Sequence, residues 1–152
     1  MSNQKGFTVI ELIVVIAIIA VLAAVVLVNV TQYMDKGKDA AIRGNLSSLV
    51  ARGTKFFEDS TLGNGKYNNF CGHPSGGAPV YTAITDAKVG GSWVCTCDNP
   101  GCIMGTATKW CACSVLHSKT GGSNDTFCVD STGFKGVSQV ICGTRCVSGF
   151  CN

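Results

Sequence analysis

Two groups of residues have types and spacings that bear chemistry. The first is Phe7 and Glu11, four positions apart, with Lys5-Gly6 before them and an apolar run behind them. A carboxylate at bilayer depth costs about 2.5–3.5 kcal/mol on insertion scales, so such a residue marks a function by default. The plainer reading places Glu11 in a first helical turn, where the positive end of the helix favours it. If the chain is cut between Gly6 and Phe7, the new amine of Phe7 stands one helical turn from Glu11. An ammonium and a carboxylate attract strongly in low dielectric, within one chain or between neighbours.

The second group is the ten cysteines: Cys71, Cys95, Cys97, Cys102, Cys111, Cys113, Cys128, Cys142, Cys146 and Cys151. Ten in the 82 residues from 71 to 152 exceeds the density that signals a disulfide scaffold in a secreted chain. The count is even, and five bridges of roughly 2–4 kcal/mol each would reinforce a glycine-rich head with a modest core. Ten cysteines allow about 945 connectivities, so the full pairing stays open. A bridge inside Cys95-Thr96-Cys97 or Cys111-Ala112-Cys113 would be strained, so these members pair elsewhere. Cys142, Cys146 and Cys151 are expected to staple the tail, with Cys128–Cys142 as one link. The rival is a zinc or copper site from Cys95, Cys97, Cys102, Cys111 and Cys113 with His73 and His117. The spacing departs from paired C-x2-C, and oxidation competes outside the cytoplasm. Disulfides are therefore expected, with no metal or cofactor, and both histidines are read as exposed loop residues. No G-x-S-x-G or G-x-x-x-x-G-K-[ST] pattern points to an enzyme. Asn124-Asp125-Thr126 is a glycosylation-type triplet on an expected loop.

The elements that position these groups are legible in the composition. The chain has 152 residues, 14% of them charged and 46% hydrophobic, with a net charge of +3. Those averages join two unlike parts, because 15 of the 19 glycines and all ten cysteines fall in 61–152. The charge is small and dispersed, with no electrostatic case for nucleic acid as the main partner. Lys109, Lys119, Lys135 and Arg145 read as scattered surface charge rather than a basic patch. Residues 12–28 hold no polar side chain, and 7–28 are broken only by Thr8 and Glu11. A helix of 22 residues spans roughly 33 Å, the thickness of a bilayer core. A secretory signal peptide would place a small-residue cleavage site after the apolar core, whereas here the short polar stretch precedes it. Lys5 holds the leader on the cytoplasmic side, so the chain beyond 28 lies outside.

After Asn29 the pattern becomes amphipathic. Ile42, Leu46, Leu49, Gly53 and Phe56 recur at helical spacing, Val50 and Phe57 widen the stripe, and charges including Asp35, Lys36, Lys38, Asp39, Arg43, Arg52 and Lys55 mostly take the rest. One helix is therefore expected from Phe7 to about Asp59, its second half docked on a globular head. Gly37, Gly44 and Gly53 each weaken it by about 1 kcal/mol relative to Ala, with Gly44 read as merely tolerated. Loops are expected at 61–69, 72–79 and 118–125, and strands at 92–97, 109–116, 126–130 and 137–142. An antiparallel sheet on the amphipathic half-helix gives an α+β class. The expected divisions are a leader 1–6, an apolar span 7–28, an amphipathic half 29–59 and a cysteine-rich head 60–152.

Lys5-Gly6-Phe7-Thr8-Val9-Ile10-Glu11-Leu12 followed by an apolar run resembles type IV pilins and the related secretion pseudopilins, over about residues 5–35. The resemblance implies a membrane prepilin peptidase that cuts after Gly6 and N-methylates Phe7. It implies that Glu11 recognises the Phe7 amine of a neighbouring subunit, and that the apolar helices bundle in a filament of identical copies. An assembly ATPase and a platform protein would drive a precursor out of the inner membrane into a surface fibre serving adhesion, motility or DNA uptake. The alternatives are a pseudopilin of a type II-like secretion system, or a minor pilin with a ligand- or metal-binding head. Many members carry a proline near position 28, whereas the first proline here is Pro74.

Overall fold

In a computed structural model of the chain, the described residues are 6–86, 89–98, 102, 106–120 and 123–152, without the side chains of 28, 29, 119, 120, 123 and 124. Residues 1–5 of the expected leader, the Gly121-Gly122 pair of the expected turn, and the side chains of Lys119 and Asn124 thus lie outside the described residues. The chain divides into two compact units, Met1–Asp35 and Lys36–Asn152.

Helix α1 runs Val9–Glu58. Its residues in the first unit are exposed wherever described. In the second unit, burial follows one stripe at spacings of three and four: Asp39, Ile42, Leu46, Leu49, Gly53 and Phe56. Val50 is partly buried beside it, and Phe57 tilts against Tyr67 with ring centroids 5.1 Å apart. Asp39, expected on the charged face, is 5% exposed. Its carboxylate accepts the backbone N–H groups of His117 at 2.5 Å and Ser118 at 2.9 Å, which is how a buried charge is compensated. Gly53 packs closely: a Cβ there would lie 2.7 Å from the Trp110 indole. At Gly37 and Gly44 a Cβ meets nothing within 4 Å. The helix stops where the Asp59 carboxylate accepts the N–H of Thr61 at 2.8 Å and of Leu62 at 3.2 Å.

A 3-10 turn at Phe70–Gly72 and a short helix α2, Ala78–Thr85, lead into the sheet. Pro79 falls in the first turn of α2, where its missing N–H is no loss. Val80 and Ile84 of α2 enter the core, so the expected loop 72–79 ends inside a helix. The antiparallel sheet has strands β1 (Trp93–Cys97), β2 (Trp110–Thr120), β3 (Ser123–Asp130) and β4 (Lys135–Ser138), in that order. The expected loop 118–125 is largely strand, since β2 and β3 pair to Thr120↔Ser123 beyond an irregularity between Val115 and Lys119. The expected strand 137–142 is realised only at its first two residues: β4 ends at Ser138 and a one-turn helix α3 spans Cys142–Arg145. A final hairpin pairs β5 (Cys146–Val147) with β6 (Phe150–Cys151).

Period-two alternation divides the sheet into two faces. Trp110, Ala112 and Leu116 of β2 and Phe127 and Val129 of β3 join the core with the α1 stripe, Phe70, Val80 and Ile84. Cys111, Cys113 and Cys128 face the other way and cluster with Cys142 and Cys146. The α+β class with a long N-terminal helix and a small antiparallel sheet is the observed architecture.

Candidate functional site

The N-terminal site is built locally. Thr8 caps α1, and its Oγ accepts the Glu11 N–H at 3.3 Å. In return Glu11 Oε2 accepts the Thr8 N–H and the Thr8 hydroxyl, both at 2.8 Å. This reciprocal T-x-x-E arrangement is a capping box, which satisfies donors left open at the helix start. It fixes one oxygen of the carboxylate in the first turn. Thr three positions before Glu, ahead of an apolar run, is the sequence signal of this box, and the spacing of Phe7 and Glu11 alone does not reveal it. Phe7 is 88% exposed, and its nitrogen is a peptide N–H in the uncut chain.

Behind this box the helix presents aliphatic side chains all round. Val9, Ile10, Leu12, Ile13, Val14, Val15, Ile16, Ile18 and Ile19 are each about half to three-quarters exposed. Val14, Ala17, Ile18, Val21 and Leu22 line one shallow groove at helical spacing. Among the described residues α1 is the helix long and apolar enough to cross a membrane. A surface of this kind is stable in lipid or against other apolar helices, not in water.

The head is fixed by five bridges: Cys71–Cys95, Cys97–Cys102, Cys111–Cys146, Cys113–Cys142 and Cys128–Cys151, with Cα separations of 5.1–6.0 Å. Neither C-x-C pair closes on itself. Cys142, Cys146 and Cys151 do staple the tail, but the expected Cys128–Cys142 link is wrong. Cys113, beside Cys128 on the neighbouring strand, takes Cys142 instead, and Cys128 takes Cys151. The tail thus crosses three outward cysteines of β2 and β3. Asp130 reinforces this crossing: Oδ2 accepts the Cys151 N–H at 3.2 Å, while Oδ1 accepts Thr132 N–H at 2.9 Å and the Thr132 hydroxyl at 2.6 Å in the β3–β4 turn.

The histidines are not exposed loop residues. His117 lies in β2, half-buried, with Nε2 2.6 Å from the Val89 carbonyl oxygen. His73 is half-buried edge-on to Phe56, and its Nδ1 accepts the Ser75 N–H at 3.0 Å. The structure does not gather them with Cys95, Cys97, Cys102, Cys111 and Cys113; among the described residues the one metal-type group is Cys71, Cys97 and Cys102. Arg145 is likewise not surface charge. It is 2% exposed, donates to the Thr126 carbonyl at 2.8 Å, and burial holds its guanidinium below its ordinary pKa.

The chain thus joins in sequence a capped helix, whose exposed apolar part is long enough to cross a membrane, and a cystine-bonded head. Residues 1–27 match the family described as the prokaryotic N-terminal methylation motif. The chain is 41% identical over 69 residues to the type IV wide pilus major component of Thermus thermophilus, which is 45% of this chain and 50% of that protein. It is 40% identical over 70 residues to fimbrial protein Q of Moraxella bovis, 45% of each chain. It is 33% identical over 68 residues to the type IV major pilin protein of Myxococcus xanthus, 45% of this chain and 29% of that one. The matches therefore cover half or less of each relative's length. No solved structure matches the chain. The similarity to type IV pilins is thus carried by the N-terminal segment.

Proposed function

We propose that the chain is a structural, non-catalytic subunit of a type IV pilus-like filament. The observation that carries this reading is the wholly exposed aliphatic helix that starts with Phe7, Thr8 and Glu11. Only a bilayer or a bundle of like helices can cover it. Residues 7–28 hold the precursor in the inner membrane, with the leader 1–6 in the cytoplasm and the head 60–152 outside. A prepilin peptidase cuts between Gly6 and Phe7 and methylates the Phe7 amine. Glu11 then receives the Phe7 ammonium of a neighbouring copy. The capping box supports this step: it occupies Oε2, and Oε1 is the oxygen offered to the neighbour. An assembly ATPase and a platform protein drive extraction into the surface fibre. The names of the relatives, two of them major pilus components, favour a pilus over a secretion pseudopilin. The fibre would serve adhesion, motility or DNA uptake.

Mass spectrometry of the native polypeptide tests the reading together with recovery from sheared cells. A chain starting at methylated Phe7, abundant in the sheared fraction, is expected. A native chain that retains its leader and is never found polymerised would overturn it.

A further inference from the structure

The two bridges on the helix-facing side of the head differ from the three on the outer side. Cys95 and Cys97 alternate with Thr96 along β1 and so point to one face of the strand. Cys71 reaches them from the 3-10 turn, and Cys102 from the segment between β1 and β2. Cys102 Sγ lies 3.5 Å from Cys71 Sγ, although the two belong to different bridges. The sulfurs of Cys71, Cys97 and Cys102 all lie within 4.8 Å of one another, and Cys95 is bonded to Cys71. Three sulfurs from three chain segments thus lie together, and the fourth, Cys95, is bonded to one of them. Cys97 and Cys102 are 5% and 3% exposed there. The six outer sulfurs, equally dense along the chain, form no such group among the described residues.

We propose that Cys71, Cys95, Cys97 and Cys102, when reduced, form a four-thiolate site for a soft cation, Zn2+ first. A tetrahedral Zn2+ with Zn–S bonds of about 2.3 Å places its sulfurs about 3.8 Å apart. Across the gap between the two bridges, Cys71 and Cys102 already hold their sulfurs 3.5 Å apart, and Cys97 lies within 4.8 Å of both. Breaking each S–S bond lets its two sulfurs separate to the same distance. A dithiol of the thioredoxin class supplies the electrons: each bridge takes up two electrons and two protons, and the dithiol becomes a disulfide. Zn2+ then displaces four thiol protons to give a Zn(S-Cys)4 centre of charge −2. The same four residues would tie the 3-10 turn to β1 in either redox state, by cystines when oxidised and by metal when reduced. The inference is independent of the filament reading.

The test uses the full chain in detergent micelles, reduced anaerobically with dithiothreitol, freed of it, and given Zn2+. Native mass spectrometry is expected to show one retained Zn2+ per chain. Alkylation with N-ethylmaleimide, mapped by peptide, is expected to spare Cys71, Cys95, Cys97 and Cys102 at least tenfold relative to the other six until EDTA is added. Cys71→Ser is expected to abolish that protection and Cys142→Ser to leave it. No retained zinc, uniform alkylation of all ten, or protection centred on the outer six would each overturn the proposal, including when reduction has unfolded the head.

Discussion

The two ends of the chain solve opposite problems. Residues 9–27 form a helix whose side chains are all exposed and whose one polar device, the Thr8–Glu11 box, is closed between residues three apart. The head buries its stripe of α1 under a sheet and ties its outer face with cystines 23 to 35 residues apart in sequence. The first region is complete in itself as a helix and incomplete as a surface, so it waits for lipid or other helices. The second is complete as a surface and depends on contacts that sequence proximity does not provide. On the proposed reading, polymerisation falls to the first, and durability outside the cytoplasm to the second.

Substitutions that act on one region and spare the other break or sharpen this contrast. The largest effect is expected from Glu11→Ala. Membrane insertion should persist while sheared fibre falls to background, and an unchanged fibre yield would remove Glu11 from assembly. Next comes the double variant Cys113→Ser/Cys142→Ser, which deletes a bridge closing 29 residues. Thermal or denaturant unfolding of the head should show a loss of about 2–4 kcal/mol, with membrane insertion untouched. A smaller loss, about 1–3 kcal/mol, is expected from Gly53→Leu, which drives a side chain into the Trp110 indole. Gly44→Ala, where a Cβ meets nothing within 4 Å, should instead be neutral or stabilise by up to about 1 kcal/mol. If both glycine variants behave alike, the close packing at Gly53 is not the reason for glycine there.

The smallest effect concerns pH. The Thr61 hydroxyl and N–H donate to Asp59 and hold its carboxyl below its ordinary value of 3.8. A depressed folded-state pKa contributes stability above the unfolded value and loses it as pH falls through the folded one. The head should therefore be slightly more stable than Thr61→Val at neutral pH. That difference should vanish under acid unfolding below the depressed pKa. A gap that persists at low pH would assign the effect to something other than Asp59.

Much of this was legible in the residues. The stripe Ile42, Leu46, Leu49, Gly53 and Phe56 announces its buried face because a helix repeats every 3.6 residues. The alternation of Trp110 and Ala112 with Cys111 and Cys113 separates the two faces of β2 for the same kind of reason. Asp39 was misread because its partners, the N–H groups of His117 and Ser118, lie 78 and 79 positions away. Arg145 was misread because nothing adjacent to it forecasts burial against Thr126. The Cys128–Cys142 link failed because proximity in sequence says little about which outward cysteine of two neighbouring strands the tail reaches first.

Local periodicity and the helix-start signature were enough to specify the apolar rod, its acidic residue and the α+β class, since those depend on neighbours within a turn or two. Tertiary structure alone decided the five pairings, the burial of Asp39 and Arg145, and the gathering of Cys71, Cys97 and Cys102. Each of these requires segments far apart in the chain to meet, and that meeting is set by how the sheet seats on α1 rather than by any run of residues.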